Sequence, residues 1–298
     1  MHTADGTLTP TPPFDFALSL RFLEGFSPAE GEQAIEDAAV TKGLRTQGQT
    51  VVFRLAAADG ATPEGPALSY RLWSDRPLTG DVRAKAAARI GAFLSIDDDL
   101  GGFYELAEAD PVFAPVAARL RGLHQVRFLT PFENLCWAVM GQRAPIPVAR
   151  KAKDAFVERY GGALEVDGVL HRAFPEPADV AGLTAQDLLE TIGNQRRAGY
   201  LANVIEAWQD VDETWLRTGP VDDVQAWLRS IKGVGEWSTA FVLFRGLGRH
   251  APMPLTVPTL KAIRQTYGPH VSEEEAAALE TRYAPWTGYW VMYQRAGA

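Results

Sequence analysis

The sequence predicts an α+β N-terminal domain over residues 1–100 and an all-helical region over residues 101–298. Three observations carry this. Two runs rich in β-branched and aromatic residues, TVVFRLA and ALSYRLW, fall early and flank a Gly/Pro-rich loop, AADGATPEGP. Beyond residue 100 no convincing strand appears. Helix-start signals followed by apolar residues at helical spacing recur there instead.

The elements follow in order. SPAE, Ser27–Glu30, offers Ser as N-cap, Pro at the first helical position and Glu at the third, so a helix is expected to start there. The two early runs read as antiparallel strands. A helix around Val82–Leu94 closes this unit, whose sheet buries one face against the two helices. SIDDDLGG, Ser95–Gly102, lacks the full ligand pattern of a calcium loop and reads as the inter-domain linker. TPFENLCWAVMGQ opens on Thr130 as N-cap, with Glu133 as its capping-box partner. Phe132, Leu135, Cys136, Val139 and Met140 then recur at helical spacing. Thr184 with Asp187 starts another helix that Gly193 stops, and Ser272 starts a further one. NQRRAGYL sets Arg196 and Arg197 at a helix start, either against DNA phosphate or on a solvated basic face.

Composition narrows the function classes. A chain of 298 residues with 46% hydrophobic and 22% charged residues buries a sizeable core. No run of 18 apolar residues suggests a membrane span, and MHTADGTLTP lacks the regions of a signal peptide. The single cysteine, Cys136, excludes an internal disulfide and any four-cysteine metal site, and points to a reducing, cytoplasmic setting. His124, His171, His250 and His270 are scattered without metal-ligand spacing. A net charge of −8 argues against a broad nonspecific coat on nucleic acid, but not against a small footprint of backbone amides.

Such a footprint is present in VDDVQAWLRSIKGVGEWSTAFVLFRGLG, which divides into helix, hairpin and helix, with Asp222 and Asp223 opening the first helix. Gly233 and Gly235 allow a tight turn that runs into a helix N-terminus, where free N–H groups and the helix dipole favour a phosphate. Lys232 and Val234 complete this backbone contact. A plain helix–turn–helix connection is the alternative.

LRSIKGVGEWSTAFVLFRGLG resembles the helix–hairpin–helix of DNA glycosylases, in particular that of bacterial 3-methyladenine DNA glycosylase II. PPFDFALSLRFLEG, TPFENLCWAVMGQRAPIPVARK and RYAPWTGYWVMY resemble the same family in the same order, so the likeness spans most of the chain. It implies an N-terminal domain like half of a TATA-binding protein, then two helical lobes with a cleft between them and the hairpin motif at about 222–246. It implies monomeric action on double-stranded DNA carrying alkylated bases, with no required cofactor. A sodium or potassium ion on the carbonyls of Arg229, Ile231 and Val234 is also compatible with it.

The resemblance assigns Phe22, Trp237, Phe241 and Trp286 to an aromatic base pocket; the family more usually has Tyr at the position of Phe241. Electron-rich rings suit a cationic alkylpurine, and flipped bases are commonly held between aromatics. Trp237 and Phe241 are also at core spacing, i and i+4. Gln142 and Arg143 fall where the family inserts a wedge into the gap left by the flipped base. The family wedge is often Leu, so Arg143 is a departure. Bifunctional relatives carry their Schiff-base lysine where Trp237 stands, which implies a monofunctional enzyme.

One expected group is missing. An ungapped reading forward from the hairpin puts the family's catalytic aspartate on Val257, and the chain has no Asp or Glu from Trp237 through Ser272. Losing one electrostatic stabiliser typically costs about 10²–10³ in rate, which a cationic base, already a good leaving group, tolerates best. Weak candidates for a substitute acid are Glu236, although a Glu at a helix N-terminus usually serves the dipole, and Asp15, whose plainer role is a local cap or turn. Three readings follow: a DNA glycosylase releasing cationic alkylpurines by base flipping, a damaged-DNA binding protein without catalysis, and a helical interaction module that has left DNA behind. The retained aromatics argue against the last.

Overall fold

The computed structural model describes residues 1–250 and 254–297. Ala251–Met253, part of the acid-free stretch, lie outside the described residues. The N-terminal part is a five-stranded antiparallel sheet in the order β1-β5-β4-β3-β2, from β1 (His2–Leu8), β2 (Gln33–Glu36), β3 (Ala39–Thr46), β4 (Gln49–Ala57) and β5 (Leu68–Ser74). Helices α1 (Phe16–Glu24) and α2 (Gly80–Phe93) belong to the same unit. The two strands expected from sequence are β4 and β5, paired with Val52 opposite Trp73. Val51, Phe53, Leu55 and Leu72 from this sheet share a core with Leu20 and Leu23 of α1 and Ala86 and Ile90 of α2.

The helix expected from SPAE does not form. Ser27–Ala29 make one 3₁₀ turn, and Glu30 leaves it at an extended ψ of 126°. The next residue, Gly31, has φ +84°, and the chain goes on into β2. A good local start signal has no room to propagate there. The helix lies earlier, where Asp15 caps α1 by accepting from the N–H groups of Ala17 and Leu18 at 2.9 and 3.2 Å.

The helical part comprises α3 (Gly101–Glu108), α4 (Ala114–Arg119), α5 (Pro131–Met140), α6 (Ile146–Tyr160), α7 (Ala185–Ile192), α8 (Gln195–Trp208), α9 (Glu213–Thr218), α10 (Val221–Ser230), α11 (Glu236–Arg245), α12 (Val257–Tyr267), α13 (Glu273–Arg282) and α14 (Thr287–Gly297). Helix starts follow the sequence signals: Thr130 caps α5, and Thr184 with Asp187 and Ser272 with Glu275 form capping boxes on α7 and α13. Gly193 ends α7 at φ +65°.

The helical part departs from the sequence expectation at two places. Residues after 100 are not strand-free: β6 (Gly162–Val166) and β7 (Val169–Ala173) form an antiparallel hairpin, and Leu164 and Val166 pack on Val52 and Trp73 of the main sheet. Glu133 is not a capping-box partner. Its buried carboxylate accepts from Lys153 Nζ at 2.8 Å.

Two separate cores hold the helices. One joins α5 to α11 through residues such as Leu135, Leu201, Leu228 and Leu243. The other joins α3, α4 and α12–α14 through Phe103, Phe113, Ile263, Tyr283 and Trp290. Leu18 and Phe244 reach into the second core from α1 and α11. A cleft opens where these parts meet.

Candidate functional site

The hairpin is built as its glycines require, though not equally for both. Gly233 has φ +106°, and a Cβ there would lie 2.3 Å from the Tyr200 ring, so only glycine fits. Gly235 is extended, at φ −103° and ψ −175°, and a Cβ there meets nothing within 4 Å. No side chain caps α11. Its first N–H groups are therefore those a helix leaves unpaired, and such a terminus is able to hold an anion. Two hydrogen bonds fix the turn from behind: Gln142 Nε2 donates to Gly233 O at 2.5 Å, and Asn203 Nδ2 donates to Lys232 O at 3.0 Å.

Beside the hairpin lies a cleft of about 1260 Å³. One wall comes from α11. Trp237 is 42% exposed, and its ring stacks on Phe241 at 4.8 Å and 14°. Facing residues include Phe22, Phe26 and Trp137, and Phe128 meets Phe26 and Phe241 edge-on at 5.5 and 6.0 Å. A core residue at the position of Trp237 would be covered. An open indole stacked on a second ring is instead a surface that can receive a flat, electron-poor ring.

The charges of the cleft are uneven. Arg21, Arg143, Arg245 and Arg295 line it, while Glu236 is the only carboxylate among the described lining residues. Arg245 is half-buried, with its guanidinium 5.1, 5.8 and 5.3 Å from the ring centres of Phe22, Phe26 and Phe244. Its Nη1 donates to Val126 O at 2.7 Å. Burial, reinforced by the Arg295 charge, pulls its pKa down to about 9, so it is still a cation at neutral pH.

No protein-family model matches the chain. A DNA-3-methyladenine glycosylase of Bacillus subtilis is 27% identical over 224 residues, covering 73% of this chain and 74% of that protein. A probable bifunctional transcriptional activator/DNA repair enzyme AlkA of Mycobacterium tuberculosis is 24% identical over 212 residues, covering 68% of this chain and 41% of that longer protein. Among solved structures, a 3-methyladenine DNA-glycosylase from Archaeoglobus fulgidus superposes with a TM-score of 0.77 at 16% identity, covering 97% of both chains. The Clostridium acetobutylicum 8-oxoguanine glycosylase/lyase bound to double-stranded DNA superposes with a TM-score of 0.69 at 15% identity, covering 99% of this chain and 97% of that one. The chain has the fold of the helix–hairpin–helix DNA glycosylases.

Among the residues the sequence resemblance singled out, Phe22, Trp237, Phe241, Gln142, Arg143, Gly233, Gly235 and Glu236 all line the one cleft. Trp286 is not brought to it. That indole lies 4.5 Å from the His250 ring and 6.1 Å from Tyr289, beside Gly102. It precedes the first residue of α14, and the face of α14 that reaches the cleft carries Gly288, Val291, Met292 and Arg295 instead. Asp15 is occupied as the α1 cap and does not line the cleft. Val257 is the first residue of α12 and 84% exposed, with Thr256, Pro258 and Thr259 around it on the cleft wall. Gln142 is held by the hairpin carbonyl, and the adjacent Arg143 has φ +49°. Arg197 Nη1 donates to Met140 O at 2.9 Å, while Arg196 stays exposed.

Sequence reasoning missed Phe26, Trp137, Arg245 and Arg295. For Arg245 a signal was available: Trp237, Phe241 and Arg245 are spaced by four, so one helix face carries all three. No such signal marks Phe26 or Trp137, which reach the cleft through tertiary packing.

Proposed function

We propose that the chain is a monofunctional DNA glycosylase that flips cationic alkylated purines of the 3-methyladenine type out of duplex DNA and hydrolyses their glycosidic bond. The observation that carries this is the open Trp237–Phe241 stack next to an uncapped helix N-terminus behind a glycine hairpin. In this reading the hairpin, from Lys232 to Gly235, holds a backbone phosphate. Arg143 or Gln142 fills the gap in the duplex, and the base enters between Trp237 and Phe22. The names of the relatives in Bacillus subtilis and Archaeoglobus fulgidus support the substrate class. Val257 stands for the family aspartate in this reading, so pocket binding and water carry the reaction. The position of Trp237 leaves no lysine for Schiff-base chemistry.

An alkali cation on the carbonyls of Arg229, Ile231 and Val234 belongs to the same proposal. Carbonyls at the end of a helix and in a turn are the oxygen donors such an ion takes; Ile231 O already accepts from Val234 N at 2.9 Å and keeps a second lone pair. Among the described residues no helix is long and apolar enough to cross a membrane. A monomer acting in the cytoplasm is part of the proposal.

The scarcity of carboxylates in the cleft favours a second reading, a damaged-DNA binding protein without catalysis. Incubating protein in excess with alkylated duplex DNA separates the two. Free 3-methyladenine or 7-methylguanine released well above spontaneous loss supports the enzyme. Salt-sensitive binding of the same duplex with no base released overturns it in favour of the binding protein.

A further inference from the structure

The reaction moves charge in a fixed direction. As the bond between the base nitrogen and C1′ breaks, its electron pair goes into the base and positive charge grows on the sugar. Water then adds to C1′ and loses a proton to solvent. An enzyme can favour this with a negative group near the sugar or a positive group near the base. The first is hard to find here, because Glu236 is the only carboxylate among the described lining residues and sits exposed at the start of α11. The second is present: Arg245, two turns further along the face that carries Trp237 and Phe241, with no carboxylate partner among the described residues.

Resting on the glycosylase reading, we infer that Arg245, fixed among Phe22, Phe26 and Phe244 at the wall of the base pocket, drives departure of the base by drawing the bonding electrons into it. The charge keeps its proton throughout and acts through space. Its anchoring suits the role. The hydrogen bond to Val126 O and three aromatic faces hold the guanidinium without neutralising it. Unpaired half-buried charge is costly to maintain, and here it is placed where it repels a cationic base before the bond breaks and not after the base has become neutral. Repulsion relieved in the transition state raises the chemical rate at some expense in binding. A neutral purine, which departs as an anion, gains from the same charge without the binding penalty.

The test is single-turnover base release by wild type, Arg245→Met and Arg245→Lys, with lesion-duplex Kd measured alongside. DNA containing 7-methylguanine supplies the cationic base and DNA containing hypoxanthine a neutral comparison. Arg245→Met is expected to lower the saturating rate by about 10²-fold while its Kd for the 7-methylguanine duplex stays the same or tightens. Arg245→Lys, which keeps the charge, is expected to stay within about tenfold of wild type. Thermal melts identify a variant that fails to fold; should Arg245→Met fail, Arg245→Gln takes its place with the same expected rate loss. Equal rates in wild type and Arg245→Met, or a loss confined to Kd, overturn the assignment while leaving the glycosylase reading intact. Wild type releasing neither base overturns the glycosylase reading, and the Arg245 assignment with it.

Discussion

Gly233 and Gly235 look equivalent in GVG yet do different things. Gly233 is required by its left-handed backbone and by the Tyr200 ring, so Gly233→Ala is expected to destabilise the fold by more than the ~1 kcal/mol of an ordinary backbone effect and to weaken DNA binding with it. Gly235→Ala has space for its methyl and an ordinary φ, so its melting temperature is expected to match wild type. Its DNA affinity is expected to fall, because the methyl sits where a phosphate would approach the α11 N-terminus. Chemical unfolding and duplex binding measured on both variants check this; equal stability loss in both would contradict it. Val257 allows a gain-of-function test. Its side chain is 84% exposed at the first position of α12, a place where a carboxylate is favoured by the helix dipole. If the missing acid belongs there, Val257→Asp is expected to raise the single-turnover release rate by about 10²–10³. An unchanged rate with a folded variant would place the catalytic charge elsewhere.

Among the elements, α11 combines more functions than its ten residues suggest. Its uncapped N-terminus follows the glycine hairpin, its cleft-lining face carries Trp237, Phe241 and Arg245, and its other face supplies Val242 and Leu243 to one core and Phe244 to another. This much was legible in sequence, because helical spacing sorts residues onto faces. The hairpin β6–β7 also carries a local signal: Asp167-Gly168 between GALEV and VLHRA is a two-residue turn signature, and both residues have positive φ, +50° and +80°. The turn between β2 and β3 gave no such sign, since Asp37 and Ala38 take positive φ without any glycine. Strand β1 was equally silent, an edge strand whose HTADGTL has little of the β-branched or aromatic character that marks β4 and β5. The placement of Trp286 depended on where the chain turns before α14, and no local pattern encodes that.

At the scale of the molecule, one buried charge cluster joins the parts. Lys153 of α6 is fully buried and pairs with Glu133 of α5 and with Glu32 just before β2, and its Nζ also donates to Pro28 O at 3.2 Å. Ser27 and Pro28 line the cleft, so the cluster holds one of its walls in place. Burial alone would raise the Glu32 pKa, but the Lys153 and Lys42 charges overcome it and hold the carboxyl at about 2, below its ordinary 4.5. A depressed carboxylate stabilises the folded state above about pH 4.5, and that contribution is lost as pH falls toward 2. Melts between pH 5 and 2 are expected to show this decline. In Lys153→Met, which leaves Glu133 without its cation and Glu32 with Lys42 alone, stability at neutral pH is expected to drop by about 3–5 kcal/mol, and acid is expected to destabilise it less steeply than wild type. A wild-type pH slope in that variant would contradict the role given to Lys153.

In the proposed reaction the cleft beside the hairpin receives a flipped nucleotide and acts on its glycosidic bond. A crystal structure with duplex DNA carrying a cationic abasic-sugar mimic is the decisive experiment. The mimic is expected to be turned out of the helix into the cleft beside Trp237 and Arg245, with a phosphate on the N–H groups at the start of α11. A mimic left stacked in the duplex, or DNA bound on another face, would contradict it.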